Sequence, residues 1–156
     1  MEMKDVKIRK AVPADVARIK TLIDDYAGRG EMLARSLSEL YEHVQCFNVA
    51  VKDGEVIGCC ALYVCWMDLG EVKSLAVAEK HRGKGVGKAL VEESLAEAEK
   101  LGIKKVFTLT TKPDFFKKIK FKVIEKETLP HKIWGECIRC TKYENCDETA
   151  LIHDLK

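Results

Sequence analysis

Three glycines at alternate positions, Gly83, Gly85 and Gly87, are interleaved with Lys80, Arg82, Lys84 and Lys88. Glycine admits positive φ and lets a backbone come close to a ligand. A helix beginning at Val86 would turn its first amides, and the positive end of its dipole, toward an anion. The stretch therefore reads as a diphosphate-binding loop. A glycine-rich turn on a solvated basic face is the competing reading. The spacing fits neither the phosphate loop that ends in Lys-Ser/Thr nor Gly-x-Gly-x-x-Gly.

A second group is Cys137, Cys140 and Cys146, spaced C-x2-C-x5-C. Zinc could take these thiolates with His131 as fourth ligand. No second Cys or His pair completes a metal signature, so zinc is not favoured and no metal ligand is assigned. A thiol pair in a redox or structural role competes with it. The seven cysteines, an odd number with no secretion signal, argue against an extracellular disulfide framework. Cys46, Cys59, Cys60 and Cys65 are expected to be small buried hydrophobes. His43, His81 and His153 show no ligand or base spacing.

These groups need a scaffold. The predicted order is β α α β β β α β α β β. Val6–Lys10 opens as a strand, and helical spacing of Val16, Ile19, Leu22, Ile23 and Tyr26 predicts a helix from about 13 to 28, ended by Gly28 and Gly30. Ser36 and Glu39 have capping-box spacing for a second helix that ends near Val44. Asp53-Gly54 separates two β-rich runs, a hairpin signal. Gly70–Ala78 is the next strand, with Val72, Leu75 and Val77 as its apolar positions. In the helix predicted over Val86–Leu101, Leu90, Val91, Leu95, Ala98 and Leu101 face inward and Glu92, Glu93, Glu97 and Lys100 outward, with Gly102 as the stop. Lys105–Thr111 is a strand, Pro113–Lys118 a short helix, and Phe121–Lys126 and Ala150–Leu155 the last strands. The sum is one α+β, or mixed α/β, domain over 1–156 around a single sheet.

At 156 residues, 47% hydrophobic and 33% charged, the chain suits one globular domain. Its 27 basic and 25 acidic residues leave a net charge of +2. That argues against a dedicated nucleic-acid binder. No apolar run is long enough for a membrane span. A soluble cytoplasmic protein is the default.

The glycine loop, Arg82-Gly83-Lys84-Gly85-Val86-Gly87, resembles the Arg/Gln-x-x-Gly-x-Gly/Ala signature of the GNAT family, the acetyl-CoA-dependent N-acetyltransferases. The preceding Glu71–Val77 strand fits the resemblance. So does Phe115-Phe116-Lys117-Lys118-Ile119-Lys120-Phe121, which is similar to the family's aromatic-aromatic-x-x-x-Gly-Phe. Lys120 stands where glycine is usual, and Phe116 where a tyrosine often sits. The resemblance implies a GNAT fold, with a mixed, mostly antiparallel sheet flanked by helices. It also implies acetyl-CoA as co-substrate. Arg82, Gly83, Lys84, Gly85, Val86, Gly87 and Lys88 would hold its pyrophosphate. Leu75, Ala76 and Val77 would line the pantetheine arm, together with Phe116. The amide of Leu75 would stabilise the thioester oxyanion.

Four further segments resemble the acetyltransferase domain of N-acetylglutamate synthases: Leu33-Ala34-Arg35-Ser36, Cys59–Tyr63, Val106–Lys112 and Leu129-Pro130. The chain looks like a short, stand-alone form. This implies that the acceptor is the α-amine of L-glutamate, for arginine biosynthesis. Glu71 is the expected base, its pKa raised by partial burial; a strand-end surface glutamate is the plainer reading. Phe116 cannot protonate the leaving thiolate, and water or a nearby hydroxyl could; Ser74 and Tyr63 are weak candidates. Arg35 would clamp a substrate carboxylate. Thr110, Thr111, Arg139 and Lys142 are further acceptor-binding candidates, with Lys132 in the same region. Another amine (a different amino acid, a polyamine or a protein) is the alternative acceptor. A non-catalytic CoA-binding or metal/redox-sensing module is the alternative class. Related domains often dimerise, but no motif here specifies a homodimer interface.

Overall fold

The computed structural model describes residues 5–129 and 148–155. Among the described residues seven strands form one sheet in the order β1-β2-β3-β4-β5-β7-β6. They are β1 (Val6–Lys10), β2 (Phe47–Lys52), β3 (Glu55–Trp66), β4 (Leu69–Val77), β5 (Lys105–Thr110), β6 (Lys122–Ile124) and β7 (Thr149–Asp154). The helices are α1 (Val16–Gly28), α2 (Leu37–Glu42), α3 (Val86–Lys100) and α4 (Pro113–Lys117). All strand pairs are antiparallel except β4 with β5. The element order matches the sequence reading.

Local chemistry explains the boundaries. Asp53 (φ 52°) and Gly54 (φ 77°) are both left-handed, so β2 turns into β3 through the two-residue turn that sequence predicted. The Ser36 hydroxyl accepts from the Glu39 amide at 3.1 Å, and the Glu39 carboxylate accepts from the Ser36 amide at 3.3 Å. This is a closed capping box. Gly102 (φ 84°) stops α3.

The sheet buries both faces. On one side α3 and α4 cover Ile57, Cys60, Leu62, Val72, Val77 and Val106, with Leu90, Val91 and Phe116 from the helices. On the other, α1 and α2 cover Val49, Cys59, Ala61 and Ala76 with Ile19, Ile23 and Leu40. Cys59 and Cys60 are fully buried. Burial pushes both thiols up, that of Cys60 to about 12. These two are inert hydrophobes at neutral pH. Cys46 and Cys65 are only half-buried.

Three expectations for α3 and β6 are corrected. Leu101 is 58% exposed because the helix ends at Lys100 and the chain turns away. Ser94 is buried in its place, donating to the Leu90 carbonyl at 3.1 Å. Glu97 does not simply face water: it accepts from Lys10 Nζ at 2.9 Å and from the buried Asn48 at 3.3 Å, tying α3 to β1 and β2. β6 is shorter than the apolar pattern suggested, Lys122–Ile124.

Lys120 shows why glycine is usual at its position. It has φ 75° at the end of α4. The Phe121 amide donates back to the Phe116 carbonyl at 3.0 Å, and that of Lys120 to Lys117 at 3.1 Å. This is a Schellman ending with a lysine in the left-handed position. A side chain there costs about 1–2 kcal/mol, partly offset by glycine's extra freedom when unfolded. Lys120→Gly should therefore stabilise the fold by about 0.5–1 kcal/mol, raising Tm by about 1–4 °C in a thermal melt. An unchanged or lower Tm would show that the strain is compensated elsewhere.

Candidate active site

The parallel pair β4–β5 holds for only three residues, Leu69–Glu71 against Lys105–Phe107. Beyond that the strands part. At the parting the Thr108 hydroxyl, buried, donates to the Val72 carbonyl at 2.9 Å, so a side chain replaces the next ladder bond. Just past it β4 is bulged. Its register with β3 passes from Ala61↔Lys73 to Cys59↔Ala76, leaving Ser74 and Leu75 opposite the single Cys60. Ser74 takes φ 56°, and its carbonyl accepts from the Cys59 thiol at 3.5 Å. A bulge kinks a strand and re-aims its side chains. Here it also resets the alternation: Val72 and Val77 lie five positions apart yet share the α3 core.

The gap is walled by Leu75 of β4, the start of α3 and α4. A Cβ on Gly87 would stand 3.3 Å from Phe115 and 3.9 Å from Leu75. Phe115, not Phe116, is therefore the ring beside the gap. Phe116 is 4% exposed, edge-on to Phe115 and Phe121 in the core. The helical twist, which separates adjacent side chains, explains the exchange.

At the far end of the gap the glycine loop enters α3. Gly83 (φ 75°) and Gly85 (φ 92°) are left-handed, and Gly85 caps the helix. Alternate left-handed residues turn successive amides to one side, a concavity suited to anions. Arg82 is held from behind. Its Nε donates to the Val77 carbonyl and its Nη2 to Asp25, each at 2.9 Å, and its guanidinium lies 4.6 Å from the Tyr26 ring centroid. Arg29, and then Arg82, hold the Asp25 carboxyl below the usual range. The Tyr26 hydroxyl accepts from the Val77 amide at 3.3 Å and donates to its carbonyl at 3.4 Å. The last turn of α1 is thereby latched to the end of β4. Behind the loop, His81 lies in a hollow of about 370 Å³ with Lys52, Asp53, Glu55, Lys80 and Lys84. Burial, then Lys80, Lys84 and Lys52, push its imidazole below the usual range and favour its neutral form.

The wall on the α1–α2 side carries the ionisable groups. Glu71 and Lys73 alternate onto that face, with side chains 12% and 9% exposed, and Lys73 Nζ is 3.9 Å from Glu71 Oε1. Lys73 Nζ also lies 4.7 Å from the Tyr63 ring centroid, and His43 stacks on that ring at 5.1 Å. Glu71 is thus not the surface residue of the plainer reading, nor is it alone in an apolar pocket. Arg35 precedes α2, which packs on the same face. Its side chain is 11% exposed, with Nη1 3.4 Å from Glu39. Thr110 Oγ1 accepts from the Lys112 amide at 2.9 Å, and Thr111 lies beyond the strand end. The expectations for Lys132, Arg139, Lys142 and Cys137, Cys140 and Cys146 lie outside the described residues.

Lys73 and Phe115 lie within the segments that carry the resemblance, yet the sequence reading gives neither a site role. Alternation along β4 would have paired Lys73 with Glu71, and the helical period of α4 would have separated Phe115 from Phe116.

Parting strands, an anion-ready helix start at one end and a carboxylate on one wall suit an acyl-group transferase whose donor carries phosphate. The model for the acetyltransferase (GNAT) family matches residues 18–121. An uncharacterized N-acetyltransferase of Chlorobaculum tepidum is 43% identical, covering 99% of this chain and all of that protein. An amino-acid acetyltransferase of Mycobacterium tuberculosis is 40% identical over 85% of this chain and 77% of its own. The crystal structure of N-acetylglutamate synthase from Neisseria gonorrhoeae, complexed with coenzyme A and N-acetyl-glutamate, superposes with a TM-score of 0.89 at 27% identity; it matches 97% of this chain, which spans 35% of that one.

The chain belongs to the GNAT family of acetyl-CoA-dependent N-acetyltransferases. Acetyl-CoA is its co-substrate, and an amine is its acceptor.

Proposed function

We propose that the enzyme acetylates the α-amine of an amino acid, L-glutamate foremost, giving N-acetyl-L-glutamate for arginine biosynthesis in the cytoplasm. The observation that carries this reading is Glu71, nearly buried on the acceptor wall where β4 and β5 part. The names of the M. tuberculosis and N. gonorrhoeae relatives support the acceptor class. Arg35, on the same side of the sheet, supports a carboxylate-bearing acceptor.

In this reading Glu71 takes the proton that an ammonium must lose before it can attack. The amine nitrogen then bonds to the thioester carbonyl carbon, and the carbon–sulfur bond breaks. The Leu75 amide, at the bulge, donates to the oxygen on which charge develops. Amides of residues 83–88 hold the pyrophosphate. The edge of Leu75–Val77 carries the pantetheine arm, with Phe115 facing it across the gap. Arg82 contributes by fixing the loop to α1 and β4. Phe116 has no proton to give; the thiolate, a tolerable leaving group, takes through water the second proton that the attacking nitrogen sheds as the amide forms.

The test is release of CoA thiol from acetyl-CoA with a panel of amino acids, polyamines and a lysine peptide. Glutamate should be among the best acceptors. No release above background with any amino acid would end the reading.

A further inference from the structure

The cation beside Glu71 has no part in the mechanism above. Lysine ammonium groups normally reach water. The Lys73 side chain is only 9% exposed. The bulge at Ser74 follows it directly, and opposite it on β3 stands the small Ala61. Its ammonium lies 4.7 Å from the Tyr63 ring centroid and 3.9 Å from the Glu71 carboxylate, so a cation stands directly beside that carboxylate.

An α-amino acid carries its ammonium and its carboxylate on one carbon. If the ammonium is presented to Glu71, the carboxylate falls within the reach of a group immediately beside Glu71. Lys73 is such a group, with the opposite charge. A polyamine or a lysine side chain offers no carboxylate there, and a polyamine's second ammonium would be repelled.

We propose that Lys73 is an acceptor-recognition residue that binds the α-carboxylate of the amino acid while Glu71 takes the ammonium proton. The inference rests on the amino-acid reading above and deepens it, since it makes Lys73 the group that distinguishes amino acids from other amines.

The experiment compares wild type, Lys73→Met and Lys73→Gln with L-glutamate and with 4-aminobutyrate, the same molecule without its α-carboxylate. If another amino acid leads the panel, it and its decarboxylated amine are used. Each variant's fold is checked by its melting curve and its CoA affinity by calorimetry. Loss of a charge-assisted contact should lower kcat/KM for glutamate by about 10–100-fold, chiefly through KM. For 4-aminobutyrate it should change by less than about twofold, and CoA affinity should hold. Lys73→Arg should recover part of the loss. Equal losses with both acceptors, or a loss in kcat at unchanged KM, would overturn the proposal and make Lys73 a partner of Glu71 instead. A wild type that acetylates no α-amino acid would overturn the underlying acceptor reading as well, so the two failures are told apart.

Discussion

Glu71→Gln should lower kcat by about 10²–10⁴-fold, the range spanned by general acid–base catalysis. The substitution preserves shape and hydrogen-bonding reach but cannot accept a proton. Glu71 sits among β-sheet neighbours that fix its backbone: Tyr63 opposite on β3 and Phe107 opposite on β5. The variant should therefore fold, and its melting curve should lie close to that of wild type. The glycine loop is far along β4, beyond the bulge, so CoA affinity measured by calorimetry should stay within about twofold. The signature of a base is this split between turnover and cofactor binding. A fall in kcat of less than tenfold would move the proton to another acceptor, such as bulk water taking it from an already neutral amine. An equal fall in CoA affinity would mean that Glu71 supports the cleft instead of the reaction.

Much of the scaffold was readable because its determinants are local. Asp53-Gly54, Ser36 with Glu39, and Gly102 each fix a boundary through the conformation or hydrogen bonds of a few neighbouring residues. The glycine loop was readable for the same reason. What escaped depends on partners distant in the chain. The bulge at Ser74 is forced by pairing with β3, and no glycine marks its left-handed residue. Without it, strict alternation would place Val72 and Val77 on opposite faces. Glu97 has the outward period of an exposed helix position, yet meets Lys10 and Asn48. Arg82 matches the loop signature as a cation, but its guanidinium is turned back to Asp25 and Val77, which only the fold brings near. Lys73 is the sharpest case. In sequence it is one lysine among many, and only the fold sets it, 9% exposed, against Tyr63 and Glu71.

The glycine loop gives the other large effect, and it separates geometry from charge. Gly85→Ala should weaken CoA binding by about 5–30-fold. A Cβ at φ 92° costs about 1–2 kcal/mol, and the loop can relieve it only by leaving the conformation that aims its amides. The Gly85 carbonyl accepts the first helical bond of α3, from the Ala89 amide at 3.0 Å, so any relaxation also frays the helix start. Lys80→Ala removes a full positive charge from the same neighbourhood. Lys80 is exposed, and exposed charges are screened, so its loss should weaken CoA binding by less than about fivefold. Calorimetry with CoA at fixed salt, alongside melting curves for both variants, measures the contrast. Greater weakening from Lys80→Ala than from Gly85→Ala would mean that side-chain charge, and not the aligned amides, holds the pyrophosphate. The basic residues around the loop would then be its binding site, and the alternating glycines only its turn.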